Sequence, residues 1–269
     1  MSLVFAFVSC LCAAVNDLVF HRYAKKVRSR GAYVLIIGMV WTILFSIFMD
    51  FKHLPDTQTL FWGLFSGVFS VTANILLIEG MIYNDAGKCS TVYRLNLIFV
   101  ALGAFLLLGE AVTTARLLGI MFALIAIVLF FLDSPRTGHR GRLVKLGFYM
   151  IGTAALLRAG MALSYKYALT IGVDRSSLLA LNGIMWVIGG GIYALVKEKH
   201  METKFNSRNW NYGLVSSILI CGTVLFMALA LEKGDASVIL PLAQMSFILT
   251  GVLGIIFFKE KLSTRKILG

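Results

Sequence analysis

Two arginines stand inside long apolar stretches of this chain, where an ionised side chain is expensive to keep. Arg158 lies about fifteen residues into the segment 143 to 169, close to mid-depth of a bilayer at about 1.5 Å per residue. A charge there costs at least about 2.5 to 3.5 kcal/mol on insertion scales, so something must offset it. A guanidinium at that depth can present its planar fork to a carboxylate or phosphate from the wall of a central cavity, close an internal ion pair, or sit nearer the interface if the register is shifted. Arg94 lies about one and a half turns into the segment 89 to 108, within reach of the polar face by snorkelling. Glu79 is the expected counter-ion of Arg94, and either Glu79 or Asp17 is a carboxylate able to exchange a coupling proton if burial raises its pKa. Asn74, Asn96 and Asn182 are amides within apolar segments, able to bond a ligand or a neighbouring helix. Trp41, Trp186 and Tyr93 are candidate aromatic walls, or packing and interface anchors. Cys10, Cys12, Cys89 and Cys221 lack the spacing a metal would need, so no metal or cofactor is expected. No nucleotide-binding loop occurs, nor a clustered His, Ser or carboxylate arrangement, and an enzyme is not expected.

The elements that carry these residues follow from composition. With 59% hydrophobic and 14% charged residues in 269, the chain holds more apolar surface than a water-soluble core of that size can bury, so its solvent is lipid. Apolar segments predict nine spans, at about 3 to 20, 32 to 49, 59 to 83, 89 to 108, 115 to 132, 143 to 169, 176 to 196, 210 to 231 and 236 to 258. The net charge of +12 is dispersed through the loops, which points to membrane orientation and away from nucleic acid. Loops after odd-numbered spans hold eighteen Lys or Arg, whereas the even set holds Lys52, Arg116, Arg175 and Lys233, with Lys166 at a span end. Basic loops stay in the cytoplasm, so the odd loops are expected there and the N-terminus outside. The first segment has its basic cluster after it, the reverse of a cleaved secretory signal.

The chain also repeats itself. Residues 105 to 119, FLLLGEAVTTARLLG, match residues 255 to 269, IIFFKEKLSTRKILG, with Glu110 over Glu260, Thr114 over Thr264 and Gly119 over Gly269. At the same offset of 150, Asp85-Ala86 falls on Asp235-Ala236, Trp62-Gly63-Leu64 on Tyr212-Gly213-Leu214, Ser66 on Ser216, and Arg94 on Gln244. At an offset of 144, Arg22-Tyr23-Ala24 resembles Lys166-Tyr167-Ala168. A duplicated unit of five spans is odd-numbered, so its two copies sit inverted in the bilayer. Gly119 opens a fifth helix in the first copy, whereas Gly269 is the final residue, so the tenth helix is expected to be missing by shortening. Two units are expected, at 1–134 and at 143–269. Glu110 and Glu260 fall at span ends on opposite faces and are assigned to orienting the following helix. Gly63 and Gly67 form a GxxxG face for close helix contact, and Gly189 to Gly191 and Pro241 are candidate sites of a helix break.

The apolar span, Gly109-Glu110, the polar stretch and Arg116-Leu117-Leu118-Gly119, repeated as Lys259-Glu260 through Gly269, resemble the drug/metabolite transporter superfamily, in its EamA-like branch with two EamA domains. Asp85-Ala86-Gly87 and Asp235-Ala236-Ser237, ahead of each such span, carry the same resemblance. It covers essentially the whole chain. The resemblance implies ten helices, a central cavity lined by helices of both halves, and movement of small metabolites, often outward. Relatives are commonly drawn with the N-terminus inside, opposite to the charge bias. The expectation is an all-α polytopic membrane protein of a bacterial-type inner membrane, a secondary exporter of small polar metabolites such as amino acids or organic anions. Its expected partners are the substrate, the bilayer and a coupling proton; the oligomeric state stays open. The alternative is a non-transporting scaffold or lipid-binding protein. The candidate substrate site is Arg158, Arg94, Gln244, Asn96, Asn74, Asn182, Trp41, Trp186 and Tyr93, with Glu79 and Asp17 for coupling.

Overall fold

The computed structural model describes residues 1–25, 29–47, 56–108, 138–198, 207–232 and 245–258, together with Thr114, Leu118, Met121, Phe122 and Ile125. Among them every extended element is an α-helix: α1 Ser2–Ala24, α2 Arg30–Ser46, α3 Thr57–Gly80, α4 Ala86–Arg94, α5 Asn96–Leu108, α6 Gly138–Thr170, α7 Arg175–Lys197, α8 Ser207–Glu232 and α9 Ser246–Phe258. Helices close all their backbone hydrogen bonds internally, which lipid demands. Their starts carry the missing partners: Ser29 accepts from the amide of Ala32 at 3.1 Å, Asp56 from Thr59 at 2.9 Å and Asp174 from Ser177 at 2.7 Å. The turn after α6 is closed by Gly172 at φ +88°, with the Val173 amide returning to the Ala168 carbonyl.

Five helices among the described residues are long and apolar enough to cross a membrane, over Ser2–Ala24, Thr57–Gly80, Gly141–Leu169, Arg175–Lys197 and Asn209–Met227, and Arg30–Ser46 and Ile248–Phe257 are shorter apolar helices. The chain is a multi-pass, all-helical membrane protein. The expected span at 115 to 132, most of which lies outside the described residues, and the start of the span at 236, with Pro241, are not part of this description, nor are Glu110 and Glu260. The expected fourth span is divided: α4 ends at Arg94, Leu95 makes a turn, and α5 begins at Asn96. There the amide of Ile98 bonds the Leu95 carbonyl at 2.9 Å. The same tight bond joins Ile248 to Met245 at 3.0 Å, where α9 begins. Leu95 and Met245 are 150 residues apart, and α5 and α9 are both 13 residues long.

Packing repeats as well. α2 crosses α7; α3 packs on α6 as α8 packs on α1; α3 meets α7 as α8 meets α2; and α5 lies on α6 as α9 lies on α1. Exchanging α1, α2, α3 and α5 for α6, α7, α8 and α9 thus returns the α2–α7 contact to itself and converts each of the others into its counterpart. The α2–α7 crossing is antiparallel and depends on small residues, Gly31 lying against Ala194, Gly38 against Val187, Gly190 against Leu35 and Gly183 against Thr42. A Cβ on Gly190 would come within 2.5 Å of the Leu35 amide nitrogen. Close approach of this kind is how helices associate without a hydrophobic drive between them, and it explains Gly189 to Gly191 without a break, since α7 is continuous through them. Gly63 and Gly67 serve a parallel contact of α3 with α7, facing Leu181 and Met185. α4 and α5 run parallel to α6, with Asn84 bonded to the Val144 carbonyl at one end and Gly103 against Leu163 further along.

Candidate functional site

These helices leave among them a narrow cavity of about 80 Å³, room for a few waters. Its walls come from both halves: Asn16, Asp17 and Phe20 of α1, Trp41 of α2, Asn74 of α3, Tyr93 and Arg94 of α4, Arg158 of α6, Trp186 of α7 and Thr223 of α8. Seven residues singled out from the sequence therefore meet in one place: Arg158, Arg94, Asn74, Trp41, Trp186, Tyr93 and Asp17. Three do not line it. Asn182 is buried and donates to the Ser66 hydroxyl at 3.1 Å, joining α7 to α3. Asn96 is buried at the start of α5, and Glu79 lies at the end of α3. Gln244 falls outside the described residues.

Charge is distributed unevenly around the cavity. Asp17 receives the Ser90 hydroxyl at 2.5 Å and the Thr250 hydroxyl at 3.3 Å on the oxygen that lies 3.6 Å from the Arg94 guanidinium. One carboxylate thus ties α1 to α4 and α9. Glu79, the expected counter-ion of Arg94, instead pairs with Arg30 at 2.9 Å and accepts the Tyr193 hydroxyl at 2.6 Å. The expectation placed Glu79 and Arg94 near one face by counting along consecutive spans. Helix packing instead turns Asp17, the nearer carboxylate in space, toward Arg94. Arg158 has no ion pair among the described residues, and its one hydrogen-bonding neighbour there is the Met161 sulfur at 3.3 Å, a weak acceptor. Among the described residues, two guanidinium groups and one carboxylate line the cavity, an excess of one positive charge.

The two tryptophan walls offer faces, not donors. The Trp41 indole N–H is spent on the Leu179 carbonyl at 3.1 Å and that of Trp186 on the Ser70 hydroxyl at 2.9 Å, and their rings stack at 5.9 Å. Asn74 spends an N–H on the Ser70 carbonyl at 2.8 Å. In contrast, Asn16 Oδ1, the Tyr93 hydroxyl and Arg94 Nε are buried with no hydrogen-bond partner among the described residues. Buried polar atoms without partners are costly, and all three belong to residues of the cavity wall. Asn16, Ser90, Thr223 and Thr250 were not singled out from the sequence. Hydroxyl and amide residues are too common in membrane helices to signal a site until packing brings them beside a charge.

Known proteins bear on this arrangement. A solved crystal structure is similar over 99% of this chain and 92% of its own, with a TM-score of 0.66 at 11% sequence identity, a likeness that speaks for the fold alone. No curated protein matches the sequence. The model of the EamA-like transporter family matches residues 1–132 and again residues 145–269. With both halves matched and a polar cavity between them, this chain belongs to the EamA-like transporter family, within the drug/metabolite transporter superfamily, as a membrane transporter with two EamA domains.

Proposed function

We propose that this transporter is a secondary exporter of small polar metabolites carrying a carboxylate, amino acids or organic anions, and that it works by alternating access between two inverted five-helix units at 1–134 and 143–269. One observation carries the substrate class: Arg158, without a counter-charge among the described residues, opens on the same cavity as the Arg94–Asp17 pair. A carboxylate there would pair with the free guanidinium in low dielectric, where such bonds are strongest, and would bring the cavity to neutrality. An amino acid would add an ammonium within reach of Asp17, Asn16 Oδ1 or the Tyr93 hydroxyl, and the tryptophan faces would bound its apolar part. Asp17 is the proposed coupling carboxylate, since it alone among the described carboxylates lines the cavity. The exchange of contacts between halves supports the inverted repeat. The eighteen basic residues of the odd loops support cytoplasmic odd loops, an outside N-terminus and a bacterial-type inner membrane.

The rival reading, a lipid-binding or scaffold protein, draws on an apolar crevice of about 460 Å³ lined by Trp62, Phe65, Phe69 and Tyr167. Thermal melts of detergent-solubilised protein, with and without Arg158→Gln, separate the two. The ligands to screen are amino acids, organic acids, sugar phosphates, nucleosides and cationic drugs. A ligand that binds only the folded state raises the midpoint by linkage. One carboxylate class stabilising the parent and not the variant is the expected result. No shift by any ligand in either protein would remove the proposed substrate class.

A further inference from the structure

The repeat makes each end of the bundle a version of the other, yet the two ends differ. Consider first the end where α1, α3 and α7 finish and α2 begins, called here the basic end after its loops. Between it and the cavity lies an aromatic plug. Tyr23 stacks on Tyr33 at 4.0 Å, Phe20 meets Tyr33 edge-on at 5.7 Å, and Tyr212 meets Tyr23 at 5.7 Å. Tyr23 and Tyr33 are wholly buried. Phe20 also lines the cavity, so the plug sits directly on it.

Above the plug is a polar latch. Glu79 of α3 holds Arg30 of α2 at 2.9 Å and Tyr193 of α7 at 2.6 Å. Glu198, just beyond α7, accepts the Arg30 amide at 2.7 Å and the Gly31 amide at 3.3 Å, and also the Ser29 hydroxyl. A carboxylate on the first amides of a helix is favoured by the unpaired N–H groups and dipole of that end. Three helices from two halves are thereby clamped together.

The opposite end holds the repeat equivalents of the plug. Tyr167 corresponds to Tyr23 at the offset of 144, and Trp62 to Tyr212 at the offset of 150. They too are in contact, with ring centroids 4.9 Å apart. Here, however, they border the crevice of about 460 Å³, and Tyr167 is 43% exposed where Tyr23 is 0%. Arg30, first residue of α2, is tied down by Glu79, whereas Arg175, first residue of α7, is exposed.

We infer that Tyr23–Tyr212 with the Arg30–Glu79–Tyr193 latch, and Trp62–Tyr167 at the other end, are the two gates of the transport cycle, the first shut and the second open in this structure. This rests on the alternating-access reading. Opening the basic end breaks the latch and exposes the plug beside a crevice, and the exchange of conformations between halves buries Tyr167 against Trp62 as Tyr23 is now buried. The crevice is then a gate in its open state, not a lipid site. A two-state carrier responds to a gate substitution by shifting population toward the state that needs that gate least.

The native thiol of Cys89 reports on this directly, because it is fully buried in the same cluster as Phe20, Tyr23, Tyr33 and Met81. The experiment uses the full chain in membrane vesicles, with Cys10, Cys12 and Cys221 changed to Ser, and a membrane-impermeant maleimide applied to either face. Glu79→Gln is expected to raise the Cys89 labelling rate from the basic face about tenfold, as for the loss of charge-assisted hydrogen bonds. Tyr193→Phe, a milder change, is expected to give a smaller rise. Tyr167→Ala, which weakens the closed form of the opposite gate, is expected to lower labelling and to reverse most of the rise when combined with Glu79→Gln. Unchanged labelling in Glu79→Gln and Tyr193→Phe overturns the gate assignment, as does a rise from both faces, the mark of general unfolding. No reversal by Tyr167→Ala overturns the link between the ends. Labelling needs no substrate, so these outcomes are independent of the ligand screen, and failure of that screen alone would strike the proposed substrate class and leave the gates standing.

Discussion

Arg94 and Arg158 share one cavity and differ in what surrounds them. Arg94 lies 3.6 Å from Asp17, with both side chains largely buried, and removal of one partner of a buried pair leaves the other charge without compensation. Asp17→Asn is therefore expected to destabilise by about 3 to 5 kcal/mol, read as a lowered melting midpoint in detergent. Arg94→Gln is expected to cost less, because the Asp17 carboxylate keeps the Ser90 and Thr250 hydroxyls. Arg158→Gln removes a guanidinium that pairs with no described carboxylate, so its stability is expected to change by under about 1 kcal/mol while ligand-induced stabilisation is lost. At this scale the sequence was informative about charges and large rings, because a guanidinium or an indole inside an apolar run is conspicuous by chemical type alone. It was uninformative about partners. Glu79 was the expected counter-ion of Arg94, but the packing of α3 turns it to Arg30 and Tyr193 and leaves Asp17 beside Arg94.

Helix crossings at this scale depend on where side chains are absent. An alanine at Gly31, Gly38 or Gly190 would bring its Cβ within about 2.4 to 2.5 Å of backbone nitrogen in the partner helix. Each is expected to lose about 1 to 3 kcal/mol through forced separation of α2 and α7. Gly152→Ala, where a Cβ meets nothing within 4 Å, is expected to be neutral or to gain up to about 1 kcal/mol from helix propensity. Comparative melts of the four variants decide this. Helix starts carry a pH dependence of their own. The Thr59 side chain and amide bonded to Asp56 hold its carboxyl pKa below 3.8. For Asp174, burial pushes the pKa upward but is outweighed by the Ser177 amide and hydroxyl, again giving a value below 3.8. Both caps therefore contribute their full stability above the ordinary carboxylate pKa and lose it as pH falls through the lowered folded value. The double variant Asp56→Asn with Asp174→Asn is expected to show a flatter midpoint-against-pH curve than the parent below about pH 4, and a curve parallel to the parent's above about pH 6. The glycines of α7 were read from the sequence as a candidate break because glycine weakens helices, whereas the crossings with α3 at Gly189 and with α2 at Gly190 give them a packing reason that only the partner helices reveal.

At the scale of the whole molecule, two matched halves produce one cavity and two unlike ends. The divided helix at Leu95 has its counterpart at Met245, and the α3–α6, α3–α7 and α5–α6 contacts have theirs in α8–α1, α8–α2 and α9–α1. If the gates exchange as inferred, Glu79→Gln and Tyr167→Ala are expected to move the conformational balance in opposite directions, as read by thiol labelling at Cys89. Composition and the length of its apolar runs determined that this chain lives in lipid as helices, because 59% hydrophobic residues cannot be hidden in a globule of this length and runs of about twenty apolar residues fit a spanning helix, not the shorter strand of a barrel. Matched polar residues at a constant offset likewise showed the duplication, and with it the EamA resemblance, since acids, glycines and threonines seldom recur in register by accident in an apolar chain. Which charges pair, which aromatics meet, and which end is shut were left to tertiary structure. Tyr23 and Tyr167 occupy equivalent places in the sequence repeat, yet one is sealed in a plug and the other borders a crevice. The rings that seal Tyr23, Tyr33 in the stack and Tyr212 at its edge, come from helices that meet only in the folded bundle, so the burial of a tyrosine is decided by its neighbours in space and not by its place in the repeat.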